Sequence, residues 1–379
     1  MFLTLPQLIL FGVISQFLFL ILLCLAPAMA RNLPRQLLAL MLAGMVGTLF
    51  EVFIHTSGLS SRYPNTAFTG TILGMLQPGA IFLYAQSVMY RNFRLRLRHL
   101  AHFLPVPFAF AVFAMGYYSL PEEAQARMLA DSHYPGVMNS IVLAIVLHGI
   151  VIGYLVATLK QISRFGVELR NIFSDLGKKE LAWLRNLLLA YGTAWSLSLV
   201  YCLLAHVMRV SGSHQSLTIA TTMVSVAVLL PMSVLAFRQP AVFAGIGHTW
   251  MDTEATSEAS TSAPSPKPLA SRIEQLMKEH QPYLYSNLTV ERLARQAELS
   301  PRELSKFLNQ QMGNNFYEFV NGYRIEHARQ RLADPAETGS ITDIMYEAGF
   351  NSKSVFNTLF RKTIGKTPSQ YRRSLRKSG

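Results

Sequence analysis

The first 240 residues contain seven long apolar stretches that are separated by short polar segments. The stretches cover residues 5–29, 36–57, 70–90, 100–120, 137–159, 181–208 and 216–237. Each approaches or exceeds the roughly 20 residues that an α-helix needs to cross a bilayer. A soluble protein could not bury seven such runs without far more polar sequence to cover them. The pattern predicts an all-α membrane domain of seven transmembrane helices over residues 1–240.

The charges of the connecting segments predict the orientation of this domain. If the amino terminus is outside, the inner segments carry eleven Lys/Arg residues and the outer segments carry three. The inner residues are Arg31, Arg35, Arg91, Arg94, Arg96, Arg98, Lys160, Arg164, Arg170, Lys178 and Lys179, and the outer ones are Arg62, Arg127 and Arg209. Positive residues are retained in the cytoplasm. We therefore expect a multi-pass protein of the bacterial inner (cytoplasmic) membrane, with its carboxyl terminus in the cytoplasm.

The first apolar stretch has a second interpretation, because Ala28-Met29-Ala30 resembles a signal-peptide cleavage site. However, no positive residue precedes the stretch, and the stretch is long for a signal peptide. Cleavage would also leave six crossings and place the basic carboxyl-terminal region outside. Charge and parity both favour an uncleaved first helix.

Several polar residues lie within the apolar stretches. They are Glu51, His55, Gln77, Asn139, His148 and His206. Ionisable groups within a membrane usually face the interior of the bundle, so one interpretation is a ligand pocket that opens outward. The other is hydrogen bonding between helices or placement at the interface. The spacing of His and acidic residues is not typical of a metal site or a catalytic site, and we predict no metal, no cofactor and no enzyme activity.

The second half of the chain changes in composition. Residues 241–270 form a predicted flexible linker that is rich in Ser, Thr, Ala and Pro, especially over 250–270. Residues 271–379 then contain 17 Lys/Arg and 11 Asp/Glu. A basic soluble domain of this kind suits a polyanionic partner or has a solvated basic surface. Its first helix is predicted over Arg272–His280.

The stretch 341–371 has the pattern of two helices joined by a tight turn. Thr342 is the predicted cap of the first helix, Gly349 permits the turn, and Ser352 caps the second helix. The second helix has a buried stripe of Val355, Phe356, Leu359 and Phe360. Its other face carries Lys353, Ser354, Asn357, Thr358 and Arg361. Such donors and acceptors read base edges and phosphates in a major groove.

A second unit of the same kind begins near Thr289. Ser300-Pro301-Arg302-Glu303 is a capping box with proline at the first helical position. Between the two units, residues 315–333 predict a long helix. About 18 residues at about 1.5 Å each give about 27 Å, which approaches the roughly 34 Å between successive major-groove faces. Two recognition helices of one chain are therefore predicted to enter adjacent grooves.

Residues 272–373 resemble the DNA-binding domain of the AraC/XylS family of transcription regulators. The matching residues are Ile344, Gly349, Phe350, Ser354, Phe356, Phe360, Gly365, Thr367, Pro368, Tyr371 and Arg372 in the second unit, Leu299, Ser300, Pro301 and Gly313 in the first, and Tyr323, Arg324, Ile325, Ala328 and Arg329 between them. Met345 and Val355 depart from the family pattern at packing positions. The resemblance implies two helix-turn-helix units joined by a long helix.

The resemblance also implies which side chains contact DNA. The base readers would be Arg302, Ser305, Lys306 and Asn309 in the first unit, and Lys353, Ser354, Asn357 and Thr358 in the second. The phosphate contacts would be Arg361, Lys362, Lys366 and Arg372. Phosphate contacts fix the position of a protein on DNA and carry no sequence information.

These patterns predict a membrane-embedded, sequence-specific transcription regulator that senses an external or membrane signal. Its partners would be double-stranded DNA, the lipid bilayer and an unknown signal ligand, with RNA polymerase and a second copy of the chain as further partners. One alternative is an integral-membrane transporter or enzyme with an appended regulatory DNA-binding domain. Another is a membrane tether whose linker is cut to release the factor.

Overall fold

The computed structural model describes residues 4–26, 32–90, 92–131, 141–176, 181–208, 226–227 and 266–376. Within these ranges the regular structure is helical, and one isolated antiparallel bridge pairs Phe173 with Thr289. This confirms the predicted all-α class. The chain divides into two compact units. The first comprises Met1–Ile162 and Ala182–Glu254, and the second comprises Ser163–Leu181 and Ala255–Gly379.

The first unit contains the apolar helices. The longer ones are Leu5–Leu25, Leu33–Thr56, Leu76–Met89, Pro105–Phe113, Glu122–Asp131, Ile141–Ile172 and Ala182–Met208, and Ile141–Ile172 continues into the second unit. Short helical pieces are Leu59–Arg62, Thr69–Gly74 and Leu97–Phe103, and a π-helical turn covers Ala114–Tyr118. Among the described residues, five helices are able to cross a membrane by length and composition, and a sixth span arises if the bent pair Leu97–Phe103 and Pro105–Tyr118 counts as one.

These spans correspond to the first six of the seven predicted stretches. The seventh, 216–237, lies outside the described residues except for 226–227. Also outside them are Ala28–Ala30, Asn139, residues 241–265 of the linker, and Arg31, Arg91, Lys178, Lys179 and Arg209.

Close helix contacts hold the first unit together. Leu33–Thr56 packs against both Leu5–Leu25 and Leu76–Met89. Gly70 lies against the backbone oxygen of Gly47 and the side chain of Glu51, so a side chain at this position would meet both. Small residues allow helix backbones to approach in this way.

The second unit contains seven α-helices in the described part of its carboxyl-terminal region. They are Pro266–Glu279, Val290–Gln296, Pro301–Gln310, Phe316–Ala333, Ile341–Glu347, Lys353–Ile364 and Pro368–Arg376. The first helix begins six residues before the predicted start at Arg272. Pro266 and Pro268 are compatible with this start, because the first turn of a helix has no hydrogen-bond partner for its N–H groups. Residues 266–270 are therefore helical, whereas the sequence placed them in the linker.

One apolar cluster holds the last four helices together. Its buried members are Ile325, Ala328, Leu332, Ile344, Met345, Ala348, Phe350, Phe356 and Phe360. The helix over Ile341–Glu347 starts from Ser340, and not from the predicted cap Thr342. The Ser340 hydroxyl accepts from the Asp343 N–H at 3.1 Å, and the Asp343 carboxylate accepts from the Ser340 N–H at 3.1 Å. This reciprocal box fixes the helix start two residues earlier.

The second unit also includes a segment from the first half of the chain. Ser163–Leu181 packs in the same compact unit as the carboxyl-terminal helices. The sequence placed these residues in a contiguous domain over 1–240. Ser174 and Leu176 are buried in the second unit, which a polar inner loop does not predict.

Candidate nucleic-acid interface

The first helix-turn-helix unit consists of Val290–Gln296 and Pro301–Gln310. The predicted capping box is present, because the Ser300 hydroxyl accepts from the Glu303 N–H at 3.2 Å and the Glu303 carboxylate accepts from the Ser300 N–H at 2.8 Å. Leu304, Phe307 and Leu308 are buried. We call Pro301–Gln310 the first recognition helix, since it carries the predicted base readers of this unit.

The outward face of the first recognition helix carries the predicted base readers. Arg302, Lys306 and Asn309 are exposed, and Ser305 is half-buried. The Asn309 amide donates to the Ser305 backbone oxygen at 2.9 Å and to the Asn171 side-chain oxygen at 3.4 Å. The four residues therefore share one face of one helix, as the sequence predicted.

The second recognition helix, Lys353–Ile364, is built in the same way. The Ser352 hydroxyl accepts from the Val355 N–H at 3.4 Å, and Gly365 ends the helix with φ 79°. Phe356 and Phe360 are buried. Outside the core, Lys353, Ser354 and Thr358 are exposed and Asn357 is half-buried.

The predicted phosphate contacts fall into two groups. Arg361, Lys362 and Lys366 are exposed. Arg372 is half-buried, and its guanidinium donates to the backbone oxygens of Gly339 at 2.7 Å and of Glu337 at 2.6 Å. Arg372 thus fastens the last helix to the loop before Ile341–Glu347, a structural role that the sequence did not indicate. Its contact with phosphate stays a prediction.

The two units are joined by the connecting helix Phe316–Ala333. Asn315 caps it, accepting from the Glu318 N–H at 2.9 Å. Its 18 residues correspond to about 27 Å at about 1.5 Å per residue. The helix has the length that the sequence predicted, and the entry of the two recognition helices into adjacent major grooves stays a prediction.

Comparison with known proteins identifies this region. The family model described as "Helix-turn-helix domain" matches residues 293–374. The transcriptional activator RhrA of Rhizobium meliloti is 32% identical over 97 residues, which is 26% of this chain and 31% of the relative. The regulatory protein PocR of Salmonella typhimurium is 31% identical over 124 residues, which is 33% of this chain and 40% of the relative. Residues 293–374 form an AraC-type helix-turn-helix domain.

The similarity to these relatives covers only part of each chain. An uncharacterized HTH-type transcriptional regulator of Staphylococcus aureus (SACOL0084) is 36% identical over 90 residues, which is 24% of this chain and 12% of the relative. The chain thus spans well under half the length of these curated relatives. No solved structure matches the chain.

Arg324 lies in the interior of the AraC-type domain, and the sequence indicated no role for it beyond the family resemblance. It is fully buried, and its guanidinium carbon lies 5.8 Å from the Phe350 ring centroid. Burial lowers the pKa of Arg324 to about 10, and the Asp175 carboxylate opposes that shift. Its position on the connecting helix was the available signal, because Val320 and Ala328, four residues to either side, are both buried.

The cap residues lower the pKa values of the carboxylates at two helix starts. Hydrogen bonds from Ser300 lower the pKa of Glu303, and those from Ser340 lower the pKa of Asp343. Both carboxylates therefore stay ionised at neutral pH. Each stabilises the positive amino-terminal end of its helix.

Three of the predicted ligand-pocket residues, Glu51, Gln77 and His148, have separate hydrogen-bond partners. Glu51 accepts from the Phe68 N–H at 3.2 Å and from the Thr71 hydroxyl at 3.1 Å. Gln77 accepts from the Tyr191 hydroxyl at 2.9 Å. His148 lies 3.3 Å from the Ser198 hydroxyl, and His55 is exposed.

Glu51 therefore caps the short helix Thr69–Gly74, a role that the sequence did not reveal. His206 lies on the helix Ala182–Met208. The ligand pocket formed by these residues stays a prediction.

Proposed function

We propose that this protein is a membrane-embedded, sequence-specific DNA-binding transcription regulator. In this proposal the apolar helices lie in the inner membrane of a bacterium, with the amino terminus outside and the AraC-type domain in the cytoplasm. The membrane helices sense an external or membrane signal and pass it to the DNA-binding domain. The proposal includes no catalytic step.

One observation carries the DNA-binding part. Two capped helices of one AraC-type domain each present a row of donor side chains outward, and a single 18-residue helix joins the two units. Arg and Lys favour guanine, and Asn favours adenine, so the rows suit base reading. The names of the relatives, a transcriptional activator and a regulatory protein, support a role in transcription.

The membrane part rests on the apolar helices. Large apolar side chains such as Phe19, Leu22 and Leu197 are exposed on helices that are long enough to cross a bilayer. Lipid would cover such side chains, whereas water would not tolerate many of them in one patch. The excess of Lys and Arg in the inner segments supports the cytoplasmic side for the AraC-type domain.

Base reading is tested with one lysine from each recognition helix. Lys306→Ala and Lys353→Ala should each weaken binding to a specific site by about 1–3 kcal/mol and should hardly change binding to random DNA. Binding of the full-length chain to a site mapped by genome-wide DNA capture is measured by fluorescence anisotropy. Lys362→Ala is the matched control, because an exposed phosphate contact should weaken all sequences about equally and lower the salt dependence. Equal losses on specific and random DNA for the first two variants would contradict their assigned role.

Orientation is tested by labelling introduced cysteines in intact cells. In a background with Cys24→Ala and Cys202→Ala, a membrane-impermeant thiol reagent should label Tyr63→Cys and leave Glu298→Cys unlabelled until the cells are lysed. Both positions are exposed in their own unit. Labelling of the cysteine at position 298 in intact cells would end the proposal, because the AraC-type domain would then be separated from the chromosome.

A further inference from the structure

A short segment from the first half of the chain is bound in the AraC-type domain. Residues 171–176, which we call the docking segment, overlap the end of the helix Ile141–Ile172 and belong to the second compact unit. Phe173 forms an antiparallel bridge with Thr289, and the Ser174 N–H donates to the Leu288 backbone oxygen at 3.3 Å. Ser174 is 1% exposed.

Arg324 is built to hold this segment. A guanidinium has five N–H donors. The two terminal nitrogens reach Ser174, one its backbone oxygen and the other its hydroxyl, each at 3.1 Å. The three remaining donors go to the domain itself, to the backbone oxygens of Tyr283 at 2.7 Å and Tyr285 at 2.8 Å, and to the Asn321 side chain at 3.2 Å. Ser174 therefore supplies two of the five acceptors of a buried charge.

The remaining polar groups of Ser174 are also satisfied. Its hydroxyl donates to the Leu288 backbone oxygen at 2.7 Å, and its backbone oxygen accepts from the Asn321 amide at 2.9 Å. A buried cation without such partners is strongly unfavourable. The site thus fits a chain segment that offers a carbonyl and a hydroxyl together.

The docking segment reaches both helix-turn-helix units. The Asn171 side-chain oxygen accepts from Asn309, a predicted base reader of the first recognition helix, at 3.4 Å. The Asp175 carboxylate accepts from the Asn351 side chain at 3.2 Å, two residues before the second recognition helix begins. An anion at the start of a helix occupies the kind of position that suits a phosphate.

We propose that the docking segment is an intramolecular ligand of the AraC-type domain and competes with DNA for it. In the docked state Asn309 is engaged by Asn171, and the Asp175 carboxylate repels a phosphate near the second recognition helix. Arg324 is the positioning residue of the site. Release of Ser174 frees both recognition helices for the operator.

Release of Ser174 from the Arg324 site costs little free energy, which suits a switch. After release, water can bind the two Arg324 donors that Ser174 leaves, so protein hydrogen bonds are exchanged for hydrogen bonds to water. The apparent affinity for DNA is the intrinsic affinity multiplied by the fraction of undocked chains. If nine chains in ten are docked, full release raises the apparent affinity by about tenfold.

The segment is also placed to carry a signal. The helix Ile141–Ile172 is continuous over 32 residues and is apolar enough to span a membrane. This step rests on the proposed function: a signal moves the helix, and that movement pulls Ser174 from the Arg324 site or returns it. A signal at the membrane then changes the docked fraction without any change in the DNA contacts themselves.

The first test opens the site by steric exclusion. Ser174→Trp cannot enter a fully buried site, whereas Val167→Trp, on the helix that precedes Ser174 and 61% exposed, should leave docking intact. DNA affinity is measured for the full-length chain in lipid nanodiscs. We expect Ser174→Trp to bind specific DNA about tenfold more tightly than the unchanged chain or Val167→Trp. Unchanged or weaker binding, in a chain whose amide exchange shows folded recognition helices, would overturn the competition.

The second test detects docking without relying on DNA. Cys24→Ala and Cys202→Ala remove the native thiols, and Asp175→Cys with Asn351→Cys places one pair at the observed contact. A short bifunctional thiol reagent should join the two halves, so that they remain together after a protease cuts a site inserted in residues 250–260. Either cysteine alone is the control. Specific DNA in excess should suppress the cross-link.

Absence of the cross-link in a chain that binds DNA would overturn the docking proposal alone. A chain that gives the cross-link but binds no DNA before the reagent is added would contradict the proposed function instead, and the docked contact would stand. A cross-link that persists at saturating DNA would overturn the competition.

Discussion

The two helix-turn-helix units need the same backbone conformation at their turns and satisfy it with different residues. Glu298 in the first turn has φ 53°, and Gly349 in the second has φ 86°. This left-handed region costs an ordinary L-residue about 1–2 kcal/mol, whereas glycine enters it freely. The first turn therefore contains a residue with a strained backbone, Glu298, whereas glycine leaves the second turn unstrained.

The surroundings explain the difference. A Cβ atom at Gly349 would lie 2.6 Å from the Tyr283 backbone oxygen and 2.8 Å from that of Leu284. The Glu298 side chain is 81% exposed and pairs with Arg272. The second turn is covered by the loop at residues 283–285, whose backbone oxygens also accept hydrogen bonds from Arg324. The first turn is exposed at Glu298. Packing, and not the turn itself, makes glycine necessary in the second unit.

The largest expected effect is that of Gly349→Ala. The added methyl group meets two backbone oxygens that cannot move cheaply, and the positive φ adds a further penalty. We expect a loss of about 3 kcal/mol in the free energy of unfolding, measured by chemical denaturation of a fragment over residues 266–379. Glu298→Gly is the matched variant, since it relieves the strained φ but removes an exposed ion pair. Its change should be under about 1 kcal/mol in either direction. Similar losses for the two substitutions would refute the role given to packing.

The helix caps should give a smaller difference between the units. Ser300→Ala removes a hydroxyl that belongs to a reciprocal box with Glu303, whereas Ser352→Ala removes a single acceptor for Val355. Loss of a cap costs about 1 kcal/mol, and we expect the cost at Ser300 to be the larger of the two. Denaturation of the same fragment measures both. An equal or greater cost at Ser352 would show that the box adds nothing.

The smallest expected effect depends on pH. Hydrogen bonds from Ser300 hold the pKa of Glu303 below its usual value of 4.5. The unfolded chain therefore takes up this proton first, so the stabilisation is present above about pH 4.5 and is lost as the pH falls through the lower folded pKa. Val355 occupies the corresponding position in the second recognition helix and does not titrate.

Amide exchange compares the two helix starts directly. Between pH 5.5 and pH 3.5, protection of the Glu303 N–H should fall relative to that of the Val355 N–H. Glu303→Gln should remove this relative change, because its amide does not titrate in this range. A pH-independent ratio in the unchanged chain would rule out the capping role of the carboxylate.

Much of this domain could be predicted because its signals are local. Ser300 and Ser352 cap helices as predicted, since a cap depends on a few consecutive residues. The apolar stripe of Phe356 and Phe360 is buried because helical periodicity places both on one face. Five apolar stretches of the first half correspond to spans among the described residues, or six with the bent pair, for the same reason, as length and composition decide them.

The features that the sequence did not predict depend on a choice between nearby residues of similar kind or on partners that are distant in the sequence. Ser340 and Thr342 are both good caps, and the reciprocal contact with Asp343 selects Ser340. Arg372 is a basic residue after a recognition helix, so the sequence predicted a phosphate contact and did not indicate that its guanidinium also donates to the backbone oxygens of Glu337 and Gly339. Nothing near position 372 indicates that those oxygens are close.

The sequence by itself determined the class of each region: apolar runs that require a bilayer or a core, and two capped helix pairs with polar outer faces. Only the tertiary structure decided that Ser174 completes the coordination of Arg324, 150 residues away along the chain. Periodicity and capping act over a few residues, so they depend on side chains that are neighbours in the sequence. The partners of a buried charge are chosen by how the chain folds back on itself, because any carbonyl and hydroxyl that arrive together can satisfy the same donors.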